Sequence, residues 1–409
     1  MPTSAVHGTP TRGLLFGAVL AFWFALPLSG CNNDKLPLPE LAPEQSQALE
    51  AHLNAQRLPA ADYVIAQFED HDVVFLGEYH RIRRDVVFVQ ELIPRLHEAG
   101  IHLLGLEFAR WRDQPLIDSL LTAADYDESL ARQIFWNEWP WWGYREYVDL
   151  LHAAWRLNRQ LPADAPPLRI LGLNAEKDWS HVRTPADRSD PAIMRRVFPE
   201  GDADSVMAAT VLREVVARGE RALIYSGINH AYTRFGQPFF DDESGAPAGR
   251  NRGRMGNRVH ARLGDRCCTI FLHSPWPPAG GYGQPYVYPA DGLIDAFFAD
   301  HPPPPGGLGF DTRGTPFGAL PGRTSLWGRA DGAFVVADYC DGWVFLGPLS
   351  ACRGVSAIED WFAAENRREA ILQVSNPDPR VKDLDRSVED LRSSLVATTR
   401  IERQFARFH

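Results

Sequence analysis

Two apolar runs in this chain end in the same pattern, a glycine followed three residues later by a histidine. Val73-Val74-Phe75-Leu76 leads into Gly77-Glu78-Tyr79-His80, and Ala222-Leu223-Ile224-Tyr225-Ser226 leads into Gly227-Ile228-Asn229-His230. Between them, Leu103-Leu104-Gly105-Leu106-Glu107 repeats the scheme with a carboxylate in place of the imidazole. Histidine and carboxylate are ligands for zinc, manganese or cobalt. A catalytic metal keeps one position open for water, whose pKa falls far enough to supply hydroxide near neutrality. His80, His230 and Glu107 would make such a three-ligand site, with Glu78 in the alternative ligand position. The glutamate left over would take the proton of the attacking water, a role that needs a carboxylate within hydrogen-bond reach. The same residues also suit a metal-free site, in which a glutamate activates water and His80 or His230 handles the leaving group. Plain structural roles stand beside these: Glu78 as a carboxylate at a helix N-terminus, Glu107 as a partner of Arg110 or Arg112.

Tryptophan supplies a second signal. Phe135-Trp136-Asn137-Glu138-Trp139-Pro140-Trp141-Trp142 is too aromatic and too interrupted by proline for an ordinary helix face. It reads as the wall of an apolar pocket, with Tyr79, Trp139, Trp142 and Asn174 as pocket residues, or as a core ridge between helices. The sequence has no G-x-S-x-G elbow, no H-E-x-x-H, no Walker loop and no G-x-G-x-x-G after a strand, which disfavours serine, nucleotide and zincin chemistry.

The elements that must carry these residues follow from periodicity. Short β-branched and aromatic runs read as buried strands at 72–76, 102–106, 168–173, 222–226 and 268–273. Helical patterns fall at 43–67, 84–99, 114–156 and 203–218, with Val86, Val89, Leu92, Ile93 and Leu96 forming a broad apolar stripe. Strands alternating with helices imply an α/β fold: a largely parallel or mixed central sheet with helices on both faces. In such a sheet both histidines leave the same edge, where open α/β folds bind ligands. Beyond residue 300 a Pro- and Gly-rich segment reads as irregular surface chain. After it, 334–339 and 343–346 read as a C-terminal β-hairpin turned at Asp341-Gly342, followed by a helical extension.

The N-terminus speaks to location. Arg12 precedes an uncharged apolar stretch, Gly13 to Leu28, too short for a membrane span of roughly 20 residues and of signal-peptide length. It ends in Leu28-Ser29-Gly30-Cys31, similar to a bacterial lipobox with Cys31 as the acylated first residue, palmitate among its chains. Residues 1–30 are then a signal peptide and 31–43 a tether; an α/β domain would cover 44–300 and the extension 301–409. Asn32 after the cysteine favours the outer membrane, facing the periplasm. The formal charge is -10, which leaves no basic excess to release phosphate counterions and argues against nucleic acid. Of the four cysteines beyond Cys31, Cys340 and Cys352 are the favoured disulfide pair, since adjacent Cys267 and Cys268 are too close to bridge well. The alternative is four buried thiols.

At these residues the chain resembles the superfamily that joins ChaN-type haem-uptake lipoproteins, the Tiki and TraB metalloproteases, and erythromycin esterases. The likeness runs from about Val73 to His273. Its carriers are Gly77-Glu78-Tyr79-His80, Glu107, the aromatic stretch through Tyr147, the strand ending at Asn174, Gly227-Ile228-Asn229-His230, the following Ala231 to Pro238, and Met255-Gly256. The resemblance implies one of two functions. One is a metal-dependent hydrolase of peptide, ester or amide bonds, the two histidines holding a divalent transition ion as in Tiki proteins. The other is a non-catalytic lipoprotein that binds haem and serves iron uptake. Two residues stand between Gly and His in the first motif, as in Tiki, TraB and ChaN, where erythromycin esterases carry one more. No second histidine occurs from Arg81 to Val89, which departs from the haem ligation of ChaN. Implied partners are a small-molecule or peptide substrate, or haem, and a membrane through the lipid; a homodimer is left open.

Overall fold

The computed structural model describes residues 35–241, 244–281 and 283–408. The expected signal peptide, Cys31 and the first residues of the expected tether lie outside them. The strands in chain order are β1 (Leu58–Pro59), β2 (Val73–Glu78), β3 (Leu103–Arg110), β4 (Arg169–Asn174), β5 (Ala222–Gly227), β6 (Gln237–Phe240), β7 (Pro247–Asn251), β8 (Cys267–Leu272), β9 (Leu308–Asp311) and β10 (Gly342–Phe345). Eight of them form one mixed sheet in the order β1-β9-β10-β8-β2-β5-β3-β4, while β6 and β7 pair separately. From β10 to β4 all neighbours run parallel; β9 and β1 close that edge antiparallel. The fold is α/β, as the strand–helix alternation requires.

Alternation along each strand divides the core in two. Val74, Leu76, Leu223 and Tyr225 face one side, under the helices Arg83–Glu98 and Arg145–Gln160. Val73, Phe75, Ala222 and Ile224 face the other, under Pro43–Gln56, Ala203–Glu214 and Met255–Leu263. The helix Arg83–Glu98 buries Val86, Val89, Leu92, Ile93 and Leu96 completely, each contributing about 1.5–3 kcal/mol relative to exposure. It ends where Gly100 takes φ +74° and its N–H bonds back to His97, the left-handed stop that favours glycine.

The C-terminal hairpin does not form as expected. Val336–Tyr339 is a helical turn, closed where Asp338 accepts the N–H of Val335. The strand β10 is buried along its whole length and so needs partners on both sides. It finds β8 in parallel and β9 in antiparallel register, Trp343 lying between Phe271 and Phe310. The strand β9 arises inside the Pro- and Gly-rich segment, which is therefore not wholly irregular. The central sheet thus continues past residue 300. Cys340 and Cys352 are free thiols: one packs with the core at the start of β10, the other with Ile82 and Phe405 past its end. The four-residue strand between them keeps them apart, and the disulfide expectation is corrected to four buried thiols, Cys267 and Cys268 included.

Candidate active site

The two motifs meet because β5 lies between β2 and β3. Register sets Glu78 beside Gly227 and Leu106 beside Tyr225. Alternation then sends Glu78 and Tyr225 to one face and Glu107 to the other. His80 follows β2 in a tight turn whose last residue, Arg81, holds φ +74°. His230 sits in the short helix Ile228–Ala231 that continues β5. Gly227 is where the two faces join. A Cβ built there would lie 2.6 Å from His80 Cε1, 2.8 Å from His80 Nε2 and 3.4 Å from Glu107 Oε2. The missing side chain is the space into which His80 and Glu107 converge.

Glu78 is wholly buried and acts on His80 rather than on a ligand. His80 Nδ1 lies 2.8 Å from Glu78 Oε1. The Tyr147 and Tyr225 hydroxyls also bond to Glu78, one to each oxygen. Tyr147 accepts the N–H of Arg81 at 3.0 Å, so its own proton goes to Glu78. Burial first, then the neighbouring carboxylate, push both phenols well above 10, so they remain donors. Glu78 is therefore an acceptor throughout, and His80 donates to it from Nδ1. The other ring nitrogen of His80, Nε2, lies beside Gly227 on the side where Glu107 also approaches. The ring is held edge-on by Trp142 (5.1 Å) and Phe108 (5.7 Å), themselves stacked at 9°.

His230 differs in kind. Its Nδ1 meets Asp204 at 2.7 Å and its Nε2 meets Glu107 Oε1 at 3.2 Å. Burial alone would lower its pKa, but Asp204 and Glu107 overcome this and push it to about 10. Burial would raise Glu107; His230 and the Gly227 N–H, which donates at 2.7 Å, hold it down at about 2. Asp204 is lowered likewise, by His230 and by Arg254 at 3.1 Å, against the opposing effect of burial. Charges alternate along Glu107, His230, Asp204 and Arg254, and His230 is an imidazolium with both N–H groups engaged.

A transition metal fits this donor set poorly. His230 is taken up by Asp204 at Nδ1 and by Glu107 at Nε2, which leaves His80 Nε2 and Glu107 Oε2 facing the space beside Gly227, fewer than the three protein ligands of a catalytic zinc. Among the described residues no group of three or more His, Cys, Asp or Glu is arranged to hold an ion.

The other expected residues divide. Asn174 stands beside the site, donating to the Glu107 carbonyl at 3.0 Å and to Glu138 at 2.8 Å. Trp142 is buried under His80, while Trp139 is half-buried and donates to the Gln373 carbonyl. Trp136 and Trp141 pack on Trp361 and Phe362, so most of the aromatic run is core ridge. Tyr79 turns away, bonding Tyr286 at 2.8 Å and packing on Phe405. Sequence reasoning missed Asp204, Arg254, Tyr225 and the buried Glu138, which takes the Lys177 amine. Only Tyr225 had a readable signal, its alternation with the core residues of β5.

Residues 64–203 match the family model described as haem-binding uptake, Tiki superfamily, ChaN, about a third of the chain. No curated protein matches. Among solved structures the chain is similar to a Bacillus cereus protein, 12% identical over 75% of this chain and 98% of that one, TM-score 0.42. A mutant erythromycin esterase in its open conformation is 13% identical over 78% and 98%, TM-score 0.45. ChaN of Campylobacter jejuni, described with cofacial haem, is 14% identical over 54% and 85%, TM-score 0.31. Likenesses this distant carry no function across. His230 lies beyond the stretch that resembles this family model, while Glu78, His80 and Glu107 lie within it.

Proposed function

We propose that this protein is a hydrolase of ester or amide bonds, peptides included, in which His80 is the general base toward water. The observation that carries this reading is the orientation of His80: Nδ1 fixed on Glu78 at 2.8 Å, Nε2 turned to the space over Gly227 that Glu107 shares. A water bound there would give its proton to Nε2 as its oxygen attacks the carbonyl carbon; Glu78 would stabilise the imidazolium that forms, and that imidazolium would hand the proton to the departing oxygen or nitrogen as the C–O or C–N bond breaks. Glu107 accepts the second hydrogen of that water and aims its lone pair. His230 neutralises Glu107 without competing for the proton, because both its nitrogens are occupied. Glu78 is thus a positioning residue and His80 and Glu107 the catalytic pair.

The test is a panel of aryl esters and aryl amides, assayed with the purified chain and with His80→Ala. Turnover abolished in the variant and unchanged by chelator supports the reading. Turnover lost with chelator and restored by zinc, manganese or cobalt would instead support the two-histidine metal site. The family description favours a second reading, haem binding without catalysis; a Soret shift on micromolar haem with no turnover of any substrate would establish it. We further place the protein at the cell envelope, lipid-anchored to the outer membrane through Cys31, on the strength of the lipobox. Cys31→Ser should abolish palmitate labelling and release the chain from membranes.

A further inference from the structure

A cavity of about 630 Å³ lies apart from the histidines, lined by Arg234, Arg250, Arg252 and Arg313. Two carboxylates, Asp331 and Asp338, stand on its wall. Asp265 and Asp341 reach Arg234 and Arg313 from beside it, so the charge is largely balanced and what the cavity offers is guanidinium donors rather than a bare positive excess.

The four come from three segments of the chain. Arg234 precedes β6, Arg250 lies within β7, Arg252 just follows it, and Arg313 belongs to the turn after β9. Arg234 is held by Asp265 at 2.5 Å and by Asp341. Arg250 reaches Asp331 only at 3.4 Å and donates to the Gly236 carbonyl at 3.2 Å. Arg313 is 3.7 Å from Asp341, its side chain half exposed. Arg252 donates to the Arg234 carbonyl at 2.8 Å and meets no carboxylate among the described residues. Each guanidinium carries five N–H donors in a planar fork, and most of these meet no protein acceptor among the described residues. Gly236 makes room for this packing: a Cβ there would sit 3.1 Å from Arg252 Cγ and 3.2 Å from Arg250 Cβ. Buried Phe235 and Phe334 also line the cavity and offer an apolar surface beside the charges.

We propose that this cavity is a second binding site, for a phosphate-bearing ligand. Arginine forks match the oxygens of a phosphate in bidentate fashion. Four of them, approaching from three segments of the chain, suit a group with oxygens on several sides better than a single planar carboxylate. The volume falls in the range of small-molecule pockets. The phosphate could belong to a soluble diphosphate or to the phosphomonoester headgroup of a lipid; the recognition chemistry is common to both. This site is independent of the hydrolase reading and stands whether or not His80 activates water.

The purified chain is titrated with inorganic pyrophosphate by calorimetry, and separately floated with phosphatidylcholine vesicles containing or lacking phosphatidic acid. Pyrophosphate should bind, more weakly as salt rises, and the double variant Arg252→Ala/Arg313→Ala should lower its affinity at least about tenfold. Both residues are exposed, so the variant keeps its fold, which its melting curve verifies. Arg159→Ala, exposed on a distant helix, should bind as the parent does. Binding only to phosphatidic acid vesicles, lost in the double variant, assigns the site to a lipid headgroup. Binding to neither probe overturns the proposal, and so does binding that the double variant leaves intact.

Discussion

The His230 clamp makes a stability prediction with a sign and a size. His230 binds its proton far more tightly in the folded chain, at about 10, than at its ordinary value of 6.5. The folded state therefore holds one more proton than the unfolded state across that interval, and stability falls as pH rises through it. The contribution is fully present below about 6.5 and gone above about 10. At 1.36 kcal/mol per pH unit the gap corresponds to about 5 kcal/mol, of the same order as the ~3–5 kcal/mol lost when one partner of a buried ion pair is removed. On the acid side the same contacts act through Glu107, held at about 2, and through lowered Asp204. That stability is present above about 4.5 and lost as pH falls towards 2; it is the same interaction and is not counted twice. Lys382 opposes the trend at high pH, because burial and then Arg188 hold its amine at about 8. Urea unfolding from pH 6 to pH 10, compared between the parent chain and His230→Gln, isolates the clamp. The parent should lose several kcal/mol more than the variant over this range. Should the variant not fold, NMR titration of His230 in the parent chain gives the same answer. Parallel curves, or an imidazole that titrates near 6.5, would refute the reasoning.

Glu78→Gln puts an amide N–H₂ against a donor, because Glu78 accepts three hydrogen bonds. It should lower kcat/KM about 10²–10⁴-fold with little change in KM, read from initial rates on the best aryl ester. Gly227→Ala drives a methyl to 2.6 Å from His80; it should cost about 1–3 kcal/mol by urea unfolding and remove activity. Trp142→Ala frees one wall of the His80 ring and should cost about 3–5 kcal/mol, measured the same way. Cys267, Cys268, Cys340 and Cys352 are buried and free. A thiol reagent should therefore reach none of them in the folded chain and all of them in denaturant, with no reductant added.

What the sequence could carry was limited by which contacts are local. The strands β2, β3, β4, β5 and β8 were legible because each is a short apolar run bounded by a breaker, and a parallel sheet buries such runs on both faces. The sheet edge was legible from the same runs. The pairing of β10 was not, because Asp341-Gly342 is a good hairpin turn and only the burial of Trp343 beside β8 decides against it. Asp204 was hidden for a similar reason. It stands at the start of the helix Ala203–Glu214, where an acid is ordinary, and 26 residues of chain separate it from His230.

The doubled Gly-x-x-His looks symmetric in sequence, and two like ligands for one ion are the natural inference. The structure breaks the symmetry through what each imidazole meets at Nδ1 and Nε2. His80 meets Glu78 at Nδ1 and turns Nε2 toward Gly227. His230 is clamped at both nitrogens, by Asp204 and by Glu107. The decision is made by Glu107, which comes from a third strand and from the opposite face. Its Oε1 meets His230, while its Oε2 takes the Gly227 N–H and looks toward His80. One glutamate thus holds both His230 and the backbone at Gly227, so that its charge is balanced before any ligand arrives. The second glycine of the repeat belongs to this arrangement as much as the histidines do, since a Cβ there would press on the His80 ring at 2.6 Å.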